Sequence, residues 1–305
     1  MSSPAWLWMS ITIGAALAQT LRNAAQRHLT QSLGTLGATL VRFLYGLPFA
    51  ALWLWLVLHF TGTVLPTPNL MFLGWVLVSS LAQIAATALL LRVMADRNFA
   101  LGVAYSKTEV IQIAVFAFVF LADPLGVPVM LAVVCGTIGV LLLSPADKHN
   151  PIRALLTGWT SRTALLGLAS GTTFGLSAVG YRGAALTLEG ASFLVAAACT
   201  LVAAQVLQTI MLGGWLAIRQ PAVAKNVVLA WRASLFAGLM GATASGAWFT
   251  AFALEPVAHV RTLGLIELVF SLIVSQKVFR ERFTRTELAG FVLLATGVAI
   301  VSLWR

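Results

Sequence analysis

Polar side chains recur on one face of the first long apolar stretch of this chain, 5–30. That face carries Gln19, Arg22, Asn23, Gln26 and Thr30 at steps of three and four residues, a spacing that puts them on the same side of a helix. An ionisable group at the centre of a lipid bilayer costs about 2.5–3.5 kcal/mol on insertion scales. If the stretch lies in lipid, this face needs a polar partner, either a bound solute or groups on other helices.

Polar groups also lie inside several other apolar stretches. They are Thr39 and Arg42; Ser79, Gln83 and Thr87; Tyr105, Lys107, Glu109 and Gln112; Trp248; and Glu267. Glu109 and Glu267 each lie about ten residues into a stretch, which at about 1.5 Å per residue is close to the bilayer centre. Both are therefore candidates for proton coupling. On one continuous helix Lys107 points about 200° away from Glu109, so it needs another partner or reaches the interface.

Two interpretations of these groups remain open. In the structural one, Arg22 or Arg42 pairs with Glu109 and holds helices together. In the functional one, the groups bind a solute or a proton. We favour it for the polar faces of the first and fourth helices, because two whole polar faces exceed the needs of one ion pair. Arg22, Arg42 and Lys107 outnumber Glu109 and Glu267, which favours a solute with a carboxylate, such as an amino acid or an organic acid. The predicted binding residues are Gln19, Arg22, Asn23, Gln26, Arg42, Gln83, Tyr105, Lys107, Glu109, Gln112, Trp248 and Glu267.

The composition requires lipid as the main solvent. Only 9% of the 305 residues are charged and 60% are hydrophobic, with a mean hydropathy of +0.94, whereas a soluble domain carries about 25% charged residues. The net charge of +10 does not indicate nucleic-acid binding, because the basic residues lie in short breaks between apolar runs, as in membrane loops.

Apolar runs long enough to cross a bilayer recur along the whole chain. A span needs about 20 residues and must be helical, because lipid offers no partner for backbone polar groups. We predict ten helices, and the first lacks the features of a cleaved signal peptide. The predicted ranges are 5–30, 34–59, 70–94, 99–121, 125–144, 163–185, 190–217, 227–254, 257–279 and 286–304.

Small residues and one proline add packing signals to these helices. Gly167, Gly171 and Gly175, and likewise Gly238, Ala242 and Gly246, recur every four residues, a pattern that lets membrane helices approach closely. Pro48 lies in the middle of its predicted helix, where we expect a kink.

Repeated sequence features indicate two related halves. A shift of 158 residues superposes 121–144 on 279–302 and pairs Glu109 with Glu267. We expect repeats at 1–146 and 163–305 and a polar connector at 147–162. Because each repeat holds five helices, the second enters the membrane inverted, an architecture of secondary transporters that places the solute site near the midplane. Further pairs at this shift are Asp123 with Glu281, Gly139 with Gly297 and Ser144 with Ser302; a shift of 153 pairs Gly14 with Gly167 and Gly37 with Gly190.

Two stretches resemble the EamA-type members of the drug/metabolite transporter superfamily. They are TLVRFLYGLPFA at 39–50 and FRERFTRTELAGFVLLATGVAIV at 279–301. The resemblance implies ten helices in two inverted repeats around a central cavity lined by the first four helices of each half. It also implies transport or exchange of amino acids, metabolites or drugs, with efflux favoured over uptake.

The distribution of basic residues predicts an orientation in the bacterial inner membrane. Most Lys and Arg residues fall after the first, third, fifth, seventh and ninth helices, so the positive-inside rule places both termini outside the cytoplasm. Lipids and a small solute are the expected partners, no cofactor is expected, and the number of subunits stays open, with a monomer favoured.

Rival functions are a lipid flippase of the same fold and an intramembrane enzyme. The enzyme is disfavoured because the helices show no aspartate pair, Ser–His pair or metal-binding set, and Cys135 and Cys199 suggest neither a disulfide nor a metal site. The chain has no nucleotide-binding loop, so we expect a secondary carrier.

Overall fold

The structure is a computed structural model that describes residues 5–96, 99–109, 111–112, 126–143, 161–254, 260 and 263–303. Every regular element in these ranges is helical, as expected for apolar runs that must satisfy their own backbone groups in lipid. The helices are α1 Ala5–Leu44, α2 Leu47–Thr61, α3 Leu70–Asp96, α4 Phe99–Ser106, α5 Val127–Leu143, α6 Arg162–Leu186, α7 Phe193–Gln208, α8 Gly214–Arg219, α9 Pro221–Leu229, α10 Trp231–Leu254, α11 Ile266–Lys277 and α12 Arg285–Leu303. A π-helical turn, Thr209–Gly213, joins α7 to α8.

Four helical stretches of the described chain are long and apolar enough to cross a membrane. They are Trp6–Thr61, Leu70–Asp96, Arg162–Leu186 and Phe193–Arg219. A fifth is obtained if α9 and the first part of α10, which meet at an 81° bend, form one span. The chain is therefore a multi-pass, all-helical membrane protein, as the sequence predicts.

The long helix α1 is bent sharply at Gly34. Gly34 has φ 67° and ψ 173°, a backbone conformation that a glycine adopts without steric cost. The Gln26 side-chain amide donates to the Ala38 carbonyl over 2.9 Å, although twelve residues of straight helix would separate them by about 18 Å. The chain therefore turns back at Gly34, between the first two predicted helices.

The second half of the chain also contains a glycine with positive φ. Gly190, with φ 73°, lies just before α7 and 156 residues after Gly34. The sequence comparison pairs Gly190 with Gly37 instead, but Gly37 lies within the helix, where a Cβ atom would be 3.0 Å from Val223 of α9. Gly34 and Gly190 share a positive φ, whereas the pairing of Gly37 with Gly190 stays a prediction.

Several predicted helices are interrupted. The second stops at the Tyr45–Gly46 turn, and Pro48 follows in the first turn of α2, where a proline is tolerated. The fourth stops at Ser106, and Lys107 and Thr108 form a turn before helical backbone resumes at Glu109.

The eighth and ninth predicted helices also differ from their expected ranges. The eighth, predicted from 227, begins at Trp231, because 227–229 belong to α9 and Ala230 forms a turn. In the ninth, Leu265 forms a turn before α11, 158 residues after Lys107. The predicted 113–121, most of the 147–162 connector, and 257–259 lie outside the described residues.

Long helix–helix contacts join the first half of the chain to the second. Helix α1 packs along α10, α3 along α6, and α5 along α12, while α2 lies against α7. Glycines permit this approach, since a Cβ atom at Gly238 would lie 2.3 Å from the Tyr45 carbonyl and one at Gly167 would lie 2.5 Å from the Tyr105 ring. The predicted packing role of these glycine stripes is confirmed at Gly167 and Gly238.

Candidate functional site

Glu267 is the centre of a buried cluster built from both halves of the chain. Its side chain is 1% exposed at the start of α11. The ammonium of Lys107 forms an ion pair with Glu267 Oε2, and Gln19 Nε2 donates to the same oxygen over 2.7 Å. Trp248 Nε1 donates to Gln19 Oε1 over 3.1 Å. Together Gln19, Lys107, Trp248 and Glu267 are the Glu267 cluster, formed by α1, α10, α11 and the turn after α4.

The turn after α4 supplies the partner that Lys107 was expected to need. Lys107 lies outside regular helix, so the 200° separation from Glu109 that holds on a continuous helix does not apply. The charge of Glu267 is balanced by Lys107, and a buried carboxylate with an ion partner and an amide donor avoids most of the cost of desolvation.

A second cluster surrounds Arg42. Arg42 Nη1 donates to Thr87 Oγ1 over 3.0 Å. When the amide of Gln83 is oriented to satisfy both of its neighbours, its oxygen accepts from Arg42 over 2.9 and 3.1 Å and its nitrogen donates to Ser177 Oγ over 2.7 Å. The predicted Arg42 and Gln83 thus lie together, and with Thr87 and Ser177 they form the Arg42 cluster.

The two clusters are neighbours. A Cβ atom at Gly241 of α10 would lie 3.2 Å from Arg22 Cδ and 4.0 Å from Arg42 Cγ, so the two arginines flank this glycine. Arg22 is 4% exposed and donates to the Asn23 carboxamide over 2.8 and 3.2 Å. It also lies within electrostatic range of Arg42 and Glu267.

The bonds described for both arginines go to neutral oxygen atoms. In the part of the chain that the structure describes, no carboxylate lies within 4.0 Å of either Arg22 or Arg42. A buried cation without an ion partner is expensive in a low-dielectric interior. Since Lys107 already balances Glu267, this region is cationic and suited to an anion.

Other predicted site residues occupy packing positions. Gln26 fixes the bend of α1 through Ala38, as described above. Tyr105 is fully buried against Gly167. Gln112 donates to Thr108 and to the Leu168 carbonyl and accepts from Thr172 over 2.5 Å, so it joins its helix to α6. Glu109 is half-buried after the Lys107–Thr108 turn, and its meeting with Glu267 across a two-fold axis stays a prediction.

Sequence reasoning missed the polar face of α7. Gln205 and Gln208 are 5% and 2% exposed, and Gln208 Nε2 donates to the Tyr181 hydroxyl over 2.8 Å. With Thr209, they are spaced at i, i+3 and i+4, which puts them on one helix face. That spacing in an apolar run could have identified them.

A third polar group joins elements at one end of the molecule. Glu281 accepts from Arg27 Nη2 over 2.5 Å and from the backbone N–H of Phe99 over 2.9 Å, and Ser275 Oγ also donates to it. Arg27 lies over the Phe279 ring at 4.1 Å. Glu281 and its three donors are called the Glu281 junction, and they connect α1, α4, α11 and the segment after α11.

Among the described residues, no group of three or more His, Cys, Asp and Glu side chains is arranged to hold a metal ion.

Comparisons with known proteins concern the second half and the overall fold. Residues 161–303 match the model of the EamA-like transporter family. No curated protein matches the chain. A solved structure, titled only as the crystal structure of a protein, matches with a TM-score of 0.53 at 17% identity, over 96% of this chain and 98% of the other. At that identity the likeness concerns the fold alone.

Proposed function

We propose that the chain is a secondary carrier of a small solute, because residues 161–303 match the model of the EamA-like transporter family, a family of the drug/metabolite transporter superfamily. The solute is a carboxylate-bearing metabolite such as an amino acid or an organic acid. It moves by alternating access around a chamber near the membrane midplane. Export or exchange is the favoured direction, in a bacterial inner membrane with both termini outside the cytoplasm.

Reciprocal packing supports two inverted repeats in this carrier. Under the 158-residue shift, Gly139 corresponds to Gly297 and Ala132 to Gly290. A Cβ atom at Gly139 would lie 2.9 Å from the Gly290 carbonyl, and one at Gly297 would lie 2.8 Å from the Ala132 carbonyl. Such exchange of partners is expected of a two-fold relation. In the proposed repeats α6 corresponds to α1 and α10 to α3, and α1 packs on α10 as α6 packs on α3.

A hairpin at Gly34 supports a larger number of spans than the continuous helical stretches suggest. The stretch Trp6–Thr61 holds 56 residues, about 84 Å of helix if straight, against a hydrocarbon core of about 30 Å. With the chain reversed at Gly34, it crosses the membrane twice. We therefore retain the proposal of ten helices.

The observation that carries the proposed substrate class is a pair of arginines, Arg22 buried and Arg42 half-buried, for which the described residues provide no carboxylate within 4.0 Å. Arg22 and Arg42 lie beside a neutralised Lys107–Glu267 pair, and the surrounding helices come from both halves. A bound carboxylate would supply the missing counter-charge through charge-assisted hydrogen bonds. Glu109 and Glu267 are the proposed proton-coupling groups, since solute binding beside them changes the local charge.

The test is transport into proteoliposomes under an imposed proton gradient, with radiolabelled amino acids and organic acids. We expect a carboxylate-bearing solute to move, and Glu267→Gln to reduce its rate at least about tenfold, since this removes an ionic contact of about 1.4 kcal/mol or more. Arg92→Gln, which breaks an exposed pair with Asp96, is the control and should transport normally.

Two outcomes would contradict the proposal. If no solute moves while fluorescent lipids are scrambled between leaflets, the protein is a flippase. If Glu109→Gln and Glu267→Gln both transport normally at every pH, neither carboxylate couples protons.

A further inference from the structure

Unpaired polar atoms lie on the helix face formed by Gln205 of α7 and Thr209, the first residue of the π-helical turn that follows α7. Gln205 Oε1 and Thr209 Oγ1 are buried and have no hydrogen-bond partner in the structure. Most threonines in the described helices donate to the carbonyl four residues earlier, as Thr200 does to Ala196 over 2.7 Å and Thr20 to Ala16 over 2.9 Å. Because an unmade buried hydrogen bond costs about 1–3 kcal/mol, the unpaired oxygen atoms of Gln205 and Thr209 require an explanation.

The backbone is irregular at the same place. Thr209 begins the π-helical turn Thr209–Gly213, and such turns are frequent at functional sites. Opposite it, α1 and α2 are separated by the turn at Gly46, where a Cβ atom would lie 3.2 Å from the Gln205 amide. Irregular backbone at membrane depth is tolerated where it is buried in protein or lines a polar cavity.

This face of α7 is continuous with the Arg42 cluster. Arg42 lies one helical turn before Gly46, which is next to the Gln205 amide. On α6, Ser177 of the Arg42 cluster lies one helical turn before Tyr181, whose hydroxyl accepts from Gln208. An unbalanced cation and two unpaired oxygen atoms therefore lie along one wall, formed by α1, α3, α6 and α7.

From this arrangement we propose that Arg42, Gln205 and Thr209 form one binding site for a small hydroxylated carboxylate. Arg42 binds the carboxylate, and the carboxamide oxygen of Gln205 and the hydroxyl of Thr209 bind a hydroxyl group of the same molecule. The proposal rests on the proposed carrier function and narrows its substrate class from carboxylates to hydroxy acids.

The chemistry of the site excludes simpler ligands. A carboxylate without a hydrogen-bond donor would leave Gln205 Oε1 unpaired. An ammonium group would donate to Gln205 Oε1 but could not accept from the Thr209 hydroxyl, and a neutral polyol would leave Arg42 without a counter-charge. A site built to hydrogen-bond a hydroxyl discriminates strongly against an analogue that lacks it, because its own polar atoms then stay unpaired.

Lactate and propionate test the proposal, since they have the same three-carbon skeleton and differ by one hydroxyl. Binding to the purified full chain is measured as ligand-dependent thermal stabilisation. We expect lactate to bind about tenfold more tightly than propionate, the effect of one hydrogen bond. Thr209→Val and Gln205→Leu should each reduce this ratio toward one while propionate binding is retained.

Substitutions at Arg42 and a remote threonine complete the design. Arg42→Gln should abolish the response to both acids, and Arg42→Lys should retain part of it, which separates loss of charge from loss of folding. Thr296→Val removes an exposed hydroxyl on α12 and should leave the ratio unchanged.

The failure of this proposal differs from the failure of the carrier proposal. Equal binding of lactate and propionate, or a ratio unaffected by both Thr209→Val and Gln205→Leu, overturns the hydroxy-acid site while other solutes are still transported. Absence of any solute transport in proteoliposomes overturns the carrier itself.

Discussion

Lys107 reaches Glu267 because regular helix stops one residue before it. The Lys107 side chain is 21% exposed and the Glu267 side chain 1%. Losing the ion pair therefore costs more free energy at Glu267, which water cannot reach. Glu267 has only Lys107 and the neutral Gln19 as described donors. Removing the lysine leaves a buried anion with one amide contact.

At this residue scale, Lys107→Met should lower the free energy of unfolding by about 3 kcal/mol, the effect of breaking a buried ion pair from one side. Thermal unfolding of the purified protein measures it. The double variant Lys107→Met, Glu267→Gln should recover most of the loss, because no charge is then left unpaired. If the double variant is as unstable as the sum of the single ones, the two side chains are not energetically coupled.

Sequence spacing predicted which polar residues are buried but not all of their partners. The stripe on the first helix, with Gln19 and Arg22, was predicted from its three- and four-residue steps and lies in the interior. The Lys107–Glu267 pair could not be predicted, because it depends on a turn that breaks the helical phase. Gln205 escaped notice because its face carries no charge, although its spacing with Gln208 is regular.

At the scale of helices, the approach of α10 to the Tyr45–Gly46 turn depends on Gly238. Backbone atoms of Tyr45 would lie 2.3 Å from an added Cβ atom, and backbone cannot move aside as the end of a side chain can. Helix packing in lipid relies on such small residues, since the solvent supplies no hydrophobic drive between helices.

We expect Gly238→Ala to destabilise the protein by about 1–3 kcal/mol, as overpacking does, and to displace α10 from the turn. The matched control is Gly74→Ala in α3, where no atom lies within 4 Å of the added Cβ atom. There the substitution should be neutral or stabilising, since alanine favours helix more than glycine does. Equal melting temperatures for the two variants would exclude a role for the close contact.

Element boundaries were predicted well where hydropathy alone decides them. The predicted 70–94 and 163–185 differ from α3 and α6 by two residues or fewer at each end. The breaks at Gly46, Lys107 and Leu265 were not predicted, because each lies inside an apolar run and is set by packing between helices rather than by composition.

For the molecule as a whole, the Glu281 junction connects the halves at one end. The carboxylate of Glu281, in the second half, receives the Phe99 N–H at the start of α4 and the guanidinium of Arg27 on α1. An acidic group at a helix start is favoured by the helix dipole. The same carboxylate therefore stabilises a helix terminus and holds two halves together.

Glu281→Gln should speed amide hydrogen exchange in the first turn of α4 and around Arg27 together, and lower stability by about 2 kcal/mol, as the loss of hydrogen bonds to a charged group does. Asp96→Asn is the control, because Asp96 forms an exposed ion pair with Arg92 of its own helix. Its effect should be confined to α3. Faster exchange only at α4 in the Glu281 variant would mean that the carboxylate is a local cap.

Gly139 of α5 and Gly297 of α12 each bring main-chain atoms of the other helix into close contact. A glycine has no side chain to rearrange when one helix slides along another. In the proposed carrier, sliding of one half against the other at these two glycines would need no change of rotamer, whereas Arg22 and Arg42 would have to exchange hydrogen-bond partners. A bulky residue at Gly139 or Gly297 would block that motion.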